Sequence, residues 1–247
     1  MDKKAVLQKE GIHFAFPFNI PNPQVRYNIP WGSVMNGFDQ LPNGNKNWYA
    51  MQRWVDISNK EYGITLSSPD APLFEIGGIT ANLLGGLYNS PLWIRDQPPS
   101  SRIYSWVMNN HWHTNFAASQ QGLVSFRYFI KTHEKPYNAF DANLFGIENH
   151  KPLIAAKASG KADEKLFFIV NGNNNLFVES MKPAAEGKGV IMQLVNSGDD
   201  AVNVTISSRS KKVINIWTSN ILEEKLSTMK SNLIIAGKDN LSIRVEQ

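Results

Sequence analysis

The chain has 247 residues, 42% of them hydrophobic and 19% charged, with 25 Lys+Arg against 21 Asp+Glu for a formal charge of +4. Disorder needs low hydrophobicity and high net charge and is excluded; with no basic stripe beyond pairs such as Lys211-Lys212, nucleic acid is not an expected partner either. No apolar run nears the ~18 residues of a membrane span, Met1-Asp2-Lys3-Lys4 leads into no signal-type apolar stretch, and the lack of cysteine removes disulfides, thiolate metal sites and Cys nucleophiles together.

At roughly 150 residues per domain, the length falls between one domain and two. Breakers are dense, with 17 Gly and 13 Pro, and short β-branched and aromatic runs lie between them, the pattern of an all-β protein. A strand is expected at Ile12–Phe18, closed by the Pro21-Asn22-Pro23 turn. Gln52–Ser58 alternates, Gly63–Ser67 reads as a strand, and Leu123–Ile130 has a clear period of two. Little helix is expected: only Asp163–Phe168 and Ile221–Lys230 have helix-like composition, and both are short. Trp31, Trp48, Trp54, Trp93, Trp106 and Trp112 all precede residue 150, and only Trp217 follows. Past Pro152, apolar runs at Lys165–Val170, Leu176–Glu179, Gly189–Asn196, Ala201–Ser207, Lys212–Trp217 and Asn240–Val245 alternate with turn clusters such as Asn171-Gly172-Asn173. That spacing predicts a sandwich of about 95 residues with its own core. The expected division is therefore 1–150 and 151–247.

The densest polar cluster is Asn109-Asn110-His111-Trp112-His113-Thr114-Asn115. In a strand His111 and His113 share a face, half of a metal site, but a closed zinc site needs four ligands and His13, His133 and His150 have no spacing that completes it. A hydrogen-bonded polar strand is the preferred reading. Glycoside hydrolysis needs two carboxylates about 5–10 Å apart; Asp39, Asp56, Asp70, Glu75, Asp96 and Asp141 lie in aromatic, turn-rich text, and nothing selects a pair. Most read as turn formers or surface charges, Asp70-Ala71-Pro72 among them. Gly77-Gly78 and Gly85-Gly86 lack a phosphate-loop context and read as turns. Trp31, Trp48, Trp54 and Trp93 could stack on sugar faces, although burial is the ordinary fate of each. Asn203-Val204-Thr205 and Asn240-Leu241-Ser242 fit the glycosylation pattern.

Several strings resemble the C-terminal β region of family 38 glycoside hydrolases, the α-mannosidases. They are His13–Phe18, Asn47-Trp48 with Gln52–Ser58, Asp70–Leu73, Tyr104–Asn115, Phe126-Arg127-Tyr128, Ser180–Ala184 and Gly187–Ile191, running with gaps over about residues 12–245. The resemblance implies an all-β fold, a large antiparallel β-supersandwich of galactose-mutarotase type followed by a smaller C-terminal β-sandwich. It implies that zinc and the aspartate nucleophile belong to an N-terminal barrel-like domain followed by a helical bundle, neither of which has its strand–helix text here. No catalytic or metal residue is carried over, so no cofactor is expected in this chain and zinc is expected in the parent's catalytic domain. The partners expected are the catalytic and helical domains of that parent and carbohydrate. Sugar hydroxyls are expected at Arg53, Trp54, Asn110, His111 and His113. The expected function is a non-catalytic β region packed on a mannosidase catalytic domain, inactive alone. The alternatives are a stand-alone carbohydrate-binding β module and, last, an autonomous glycosidase.

Overall fold

The computed structural model describes residues 1–81, 93–110, 117, 119–155, 157, 160, 168–208, 214–230 and 232–246. The chain divides into two compact units, Met1–Leu153 and Ile154–Gln247. Strand pairing is antiparallel throughout the described residues.

In the first unit the strands are β1 Asp2–Lys3, β2 Gly11–Pro17, β3 Gln24–Ile29, β4 Gly32–Met35, β5 Tyr49–Ala50 and β6 Trp54–Ser58. They continue with β7 Gly63–Ser67, β8 Leu73–Ile76, β9 Arg102–Asn109, β10 Gly122–Leu123 and β11 Phe129–His133, then the helix α1 Ala139–His150. A five-stranded sheet, β11-β7-β6-β3-β4, and a four-stranded sheet, β2-β9-β8-β5, share one core, while β1 and β10 form a separate ribbon. Alternate residues supply that core: Val25 and Tyr27 of β3, Val55 and Ile57 of β6, Leu66 of β7, Phe74 and Ile76 of β8, Ile103 of β9. Because successive side chains point to opposite faces, Trp54, Asp56 and Ser58 project from the far face of the first sheet. Yet every residue of β6 is buried.

The helix accounts for this. Gly146 lets α1 lie directly on Trp54, since a Cβ there would stand 2.7 Å from the indole Cδ1. Asn143 Oδ1 accepts the Trp54 Nε1–H at 3.0 Å, and Asn138 caps the first turn by accepting the Asp141 N–H at 3.0 Å. This twelve-residue helix is absent from the sequence expectation. Of the two segments with helix-like composition, Ile221–Lys230 instead contains a turn and a strand, and most of Asp163–Phe168 lies outside the described residues. The expected strand Leu123–Ile130 is ladder-paired only at its two ends; between them Phe126 and Tyr128 pack their rings on Phe14 and Phe16 without a hydrogen-bonded partner strand.

The second unit carries β12 Phe168–Asn171, β13 Leu176–Pro183, β14 Val190–Asn196, β15 Val202–Ser208, β16 Asn215–Ser219, β17 Lys225–Met229, β18 Asn232–Ile235 and β19 Asn240–Glu246. Two sheets, β12-β15-β18 and β13-β14-β19-β16-β17, form a sandwich. Its buried core is aliphatic apart from Met192: Leu194, Val202, Val204, Ile206, Ile216, Leu233, Ile235, Ile243 and Val245. No helix among the described residues is long and apolar enough to cross a membrane.

Candidate functional site

Two carboxylates of the first unit are fully buried, Asp56 and Glu75, at 1% and 0% exposure. Burying a carboxylate is costly unless it is hydrogen-bonded, and both are. Asp56 accepts from Ser58 Oγ at 2.7 Å, Thr65 Oγ1 at 2.8 Å and His133 Nε2 at 3.0 Å. Glu75 accepts from His13 Nε2 at 2.7 Å, from the Thr80 hydroxyl at 3.3 Å, and from the backbone N–H groups of Thr80 and Ala81.

The His133 ring lies across Gly63, where a Cβ would stand 2.5 Å from its Cε1. Its Nδ1 is 2.7 Å from the Lys135 carbonyl, which can only accept, and its Nε2 faces the Asp56 carboxylate. Both nitrogens therefore carry hydrogens, and the ring is an imidazolium. In agreement, the bond to Asp56 holds its pKa above the ordinary histidine value. His13 stacks flat on Trp106 at 5.9 Å, with Trp48 edge-on to the same indole.

These histidine–carboxylate pairs hold structure together. Phe74 and Ile76 of β8 point into the core, as do Val55 and Ile57 of β6, so Glu75 and Asp56 project from opposite outer faces of the sandwich. The sheets are about 10 Å apart, and both side chains point away from the gap. Their separation exceeds the roughly 5–9.5 Å that glycosidase carboxylate pairs span. Other carboxylates are engaged too. Asp70 takes a bidentate pair from Arg127 at 2.8 and 2.9 Å, which pulls its pKa down to about 2. Asp39 accepts the Met35 N–H at 2.8 Å. No three His, Asp or Glu side chains stand together as a metal ligand set among the described residues, so these residues do not fit a zinc ion.

The residues expected at sugar hydroxyls separate into distinct places. Asn110, 6% exposed, spends its amide on the N-terminal segment: Oδ1 accepts the Glu10 N–H, and Nδ2 donates to the Val6 and Gln8 carbonyls. Trp54 is 0% exposed beneath α1 and offers no ring face to a ligand, a correction that follows from the helix missed in the sequence. His111 and His113 lie outside the described residues, as do Gly85-Gly86. Gly77 has φ +79° and makes a turn.

Arg53 and Trp54 are brought against the β3–β4 hairpin by Asn28, a buried residue that sequence reasoning missed. Its Oδ1 accepts the Arg53 and Trp54 N–H groups at 2.7 and 2.9 Å, its carbonyl accepts the Gln52 N–H at 2.8 Å, and its Nδ2 donates to Gln52 Oε1 at 3.2 Å. The only sequence signal for the hairpin is Pro30-Trp31-Gly32, a turn string. Pro30 and Trp31 form its two-residue loop, between the paired Ile29 and Gly32. Trp31 has φ +69° and is 47% exposed. Proline fixes φ near −65°, so the signs are those of a type II turn, whose second central residue favours Gly or Asn. The left-handed region costs a side-chain-bearing residue roughly 1–2 kcal/mol. Trp48 and Trp93 are half-buried, and Trp93 Nε1 is tied to the Asn43 carbonyl at 3.1 Å.

Residues 175–246 match the glycosyl hydrolases family 38 C-terminal beta sandwich domain. No match is found among curated proteins. Among solved structures the chain is similar to an alpha-mannosidase from Enterococcus faecalis V583, with TM-score 0.68 and 14% identity, covering 96% of this chain and 26% of that one. It is similar also to a protein in the glycosyl hydrolase family 38 from Enterococcus faecalis, with TM-score 0.66 and 14% identity over 95% of this chain and 26% of that one. The chain thus spans about a quarter of the length of these structures. In fold it is similar over nearly its whole length to a part of these structures, and its residues 175–246 match the family 38 C-terminal beta sandwich model.

Proposed function

We propose that this chain is the non-catalytic β region of an α-mannosidase-like glycoside hydrolase, packing on catalytic and helical domains of the parent and contributing contacts to carbohydrate. The observation that carries this reading is the extent of the likeness: 96% of the chain superimposes on 26% of a mannosidase chain. The hydrogen-bonded Asp56 and Glu75 and the salt-bridged Asp70 support it, because an acid or nucleophile must be free to meet substrate. Zinc, on this reading, belongs to the catalytic domain outside this chain.

The test is turnover of an aryl α-mannoside by the purified chain, with and without zinc. No turnover is expected, since losing the groups that stabilise a transition state costs orders of magnitude at about 1.4 kcal/mol per tenfold. Zinc-dependent hydrolysis that disappears on mutating a carboxylate of this chain would overturn the proposal. The second reading, a stand-alone carbohydrate-binding module, is favoured by the exposed indole of Trp31. Co-elution of the chain with separately expressed catalytic and helical domains of its parent would decide for the first.

A further inference from the structure

The β3–β4 hairpin breaks two local rules at one place. Two-residue hairpin loops favour type I′ or II′ turns, whose twist matches the strands; this one has the sign pattern of type II. It also puts tryptophan where glycine or asparagine belongs. Such departures concentrate at functional sites, where the strain serves to hold a group in place. Here that group is an indole at the tip of a hairpin. Trp31 is the one tryptophan among the described residues with more than a third of its surface exposed, and its ring makes no aromatic contact among them.

The surroundings indicate the ligand. Ser33, two residues along β4, pairs across the ladder with Asn28, and Asn28 holds Gln52 through two hydrogen bonds. Ser33 and Gln52 are exposed. The Ser33 hydroxyl and the Gln52 Nε2 have no hydrogen-bond partner among the described residues, whereas Gln52 Oε1 is already used by Asn28. No charged side chain lies between Ile29 and Asp39. The hairpin, with Gln52 held to it by Asn28, therefore offers an uncharged combination: an aromatic face and a hydroxyl from the hairpin and an amide donor from Gln52. A pyranose ring has complementary groups, an apolar C–H face and hydroxyls at its edge, and aromatic side chains with a polar neighbour suit such half-apolar, half-wet ligands. Ile29, beside the loop, is also partly exposed, so a protein contact at the same tip is the outcome that the test must separate from sugar binding.

We propose that Trp31, with Ser33 and Gln52, is a stacking site for a neutral hexopyranose unit of a glycan. The proposal deepens the carbohydrate contact named above and rests on that part of the reading alone. A single indole and two hydrogen-bonding groups give weak affinity, with half-saturation on the order of millimolar, equivalent to about 4 kcal/mol.

The test is ligand-observed saturation-transfer NMR on the full 247-residue chain, with methyl α-mannoside as probe and the acyclic polyol sorbitol as control. Transfer is expected to the C–H face of the mannoside and not to sorbitol. Trp31→Ala should raise the dissociation constant at least tenfold, Trp31→Phe less, and Gln52→Leu about threefold. Trp31→Gly guards against a folding artefact: it relieves the left-handed strain, so its melting temperature should be no lower than that of the parent sequence while binding is lost. Binding by the Ala and Gly variants equal to that of the parent sequence would overturn the proposal, as would absence of transfer from the folded chain. Concentration-dependent self-association abolished by Trp31→Gly would overturn it too, by assigning the tip to a protein contact. Mannosidase activity and domain assembly are not read here, so failure of this site leaves the domain-packing reading standing.

Discussion

The two units bury polar groups in different ways. In Met1–Leu153 the outward sides of β6 and β8 are themselves covered, so Asp56 and Glu75 sit at 1% and 0% exposure, each hydrogen-bonded by a histidine and by hydroxyl or backbone donors. In Ile154–Gln247 the core is aliphatic apart from Met192, and the deepest charge among the described residues is Arg244, 3% exposed on the outward side of β19. Its guanidinium donates to Glu246 at 2.9 Å, Glu186 at 3.1 Å, and the Lys188 and Glu223 carbonyls at 3.0 and 3.3 Å. Beside it, Lys225 bridges Glu246 at 2.8 Å and lies 4.0 Å from the Trp217 ring centroid. The first unit is thus a sandwich that covers the outward carboxylates of β6 and β8, and the second a sandwich with an ionic knot on the outward side of β19.

The largest effect should come from the covered face. Trp54→Ala removes the ring on which Gly146 rests and the donor to Asn143. It should cost about 3–5 kcal/mol of unfolding free energy, read by denaturant titration with hydrogen exchange resolving the β6 and β7 amides. A cost below about 1 kcal/mol would mean that α1 is loosely held and would erase the contrast between the units.

This contrast also explains what the sequence made legible. In the second unit β15 runs buried and exposed in strict alternation from Val202 to Ser208, so the period of two is written in the residues. In the first unit β6 is buried at every position, and β8 has one half-buried residue followed by three buried ones. A strand covered on both faces loses its alternation, and β8 was not foreseen. The helix was hidden differently: Ala139–His150 holds a glycine and two asparagines, weak helix formers. Tertiary packing on Trp54 holds it, and its only local sign is the Asn138 cap. Arg53 and Trp54 were singled out through family resemblance, but the burial of Trp54 was not foreseen. The Asn28 hub was not foreseen either, because a buried asparagine in a strand looks like any other until its four hydrogen bonds are known.

A middle-sized effect should sharpen the picture of the second unit. Arg244→Met keeps the volume but leaves the Lys188 and Glu223 carbonyls without their donor. The expected cost is about 1–3 kcal/mol. Arg244→Lys should recover little of it, because a point charge cannot serve four acceptors arranged around a planar fork. Thermal unfolding of the two variants and the parent sequence measures both. Full rescue by lysine would show that charge alone matters there.

The smallest effect is a pH dependence, and it belongs to the first unit. His133 donates to Asp56 and to the Lys135 carbonyl, and the Asp56 bond raises its pKa above the ordinary histidine value of about 6.5 despite partial burial and nearby Lys131. A histidine whose folded pKa exceeds its unfolded one binds its proton more tightly when native. Its contribution is therefore complete below about pH 6.5 and is lost as pH rises through the raised value. His150, at the end of α1, works the other way: burial lowers its pKa, so its contribution is present above 6.5 and lost as pH falls. The net profile of the chain mixes the two. The difference between the parent sequence and His133→Gln isolates the first, since His150 is common to both. Unfolding free energies measured from about pH 5.5 to about pH 9 should show the parent's advantage shrinking toward the alkaline end. A gap that stays constant would mean that the folded ring binds its proton no more tightly than the unfolded one, and a gap that widens toward the alkaline end would mean that the folded ring carries a single proton. In the latter case Nδ1 or Nε2 would have no hydrogen to donate, and the imidazolium assignment on the covered face would fail.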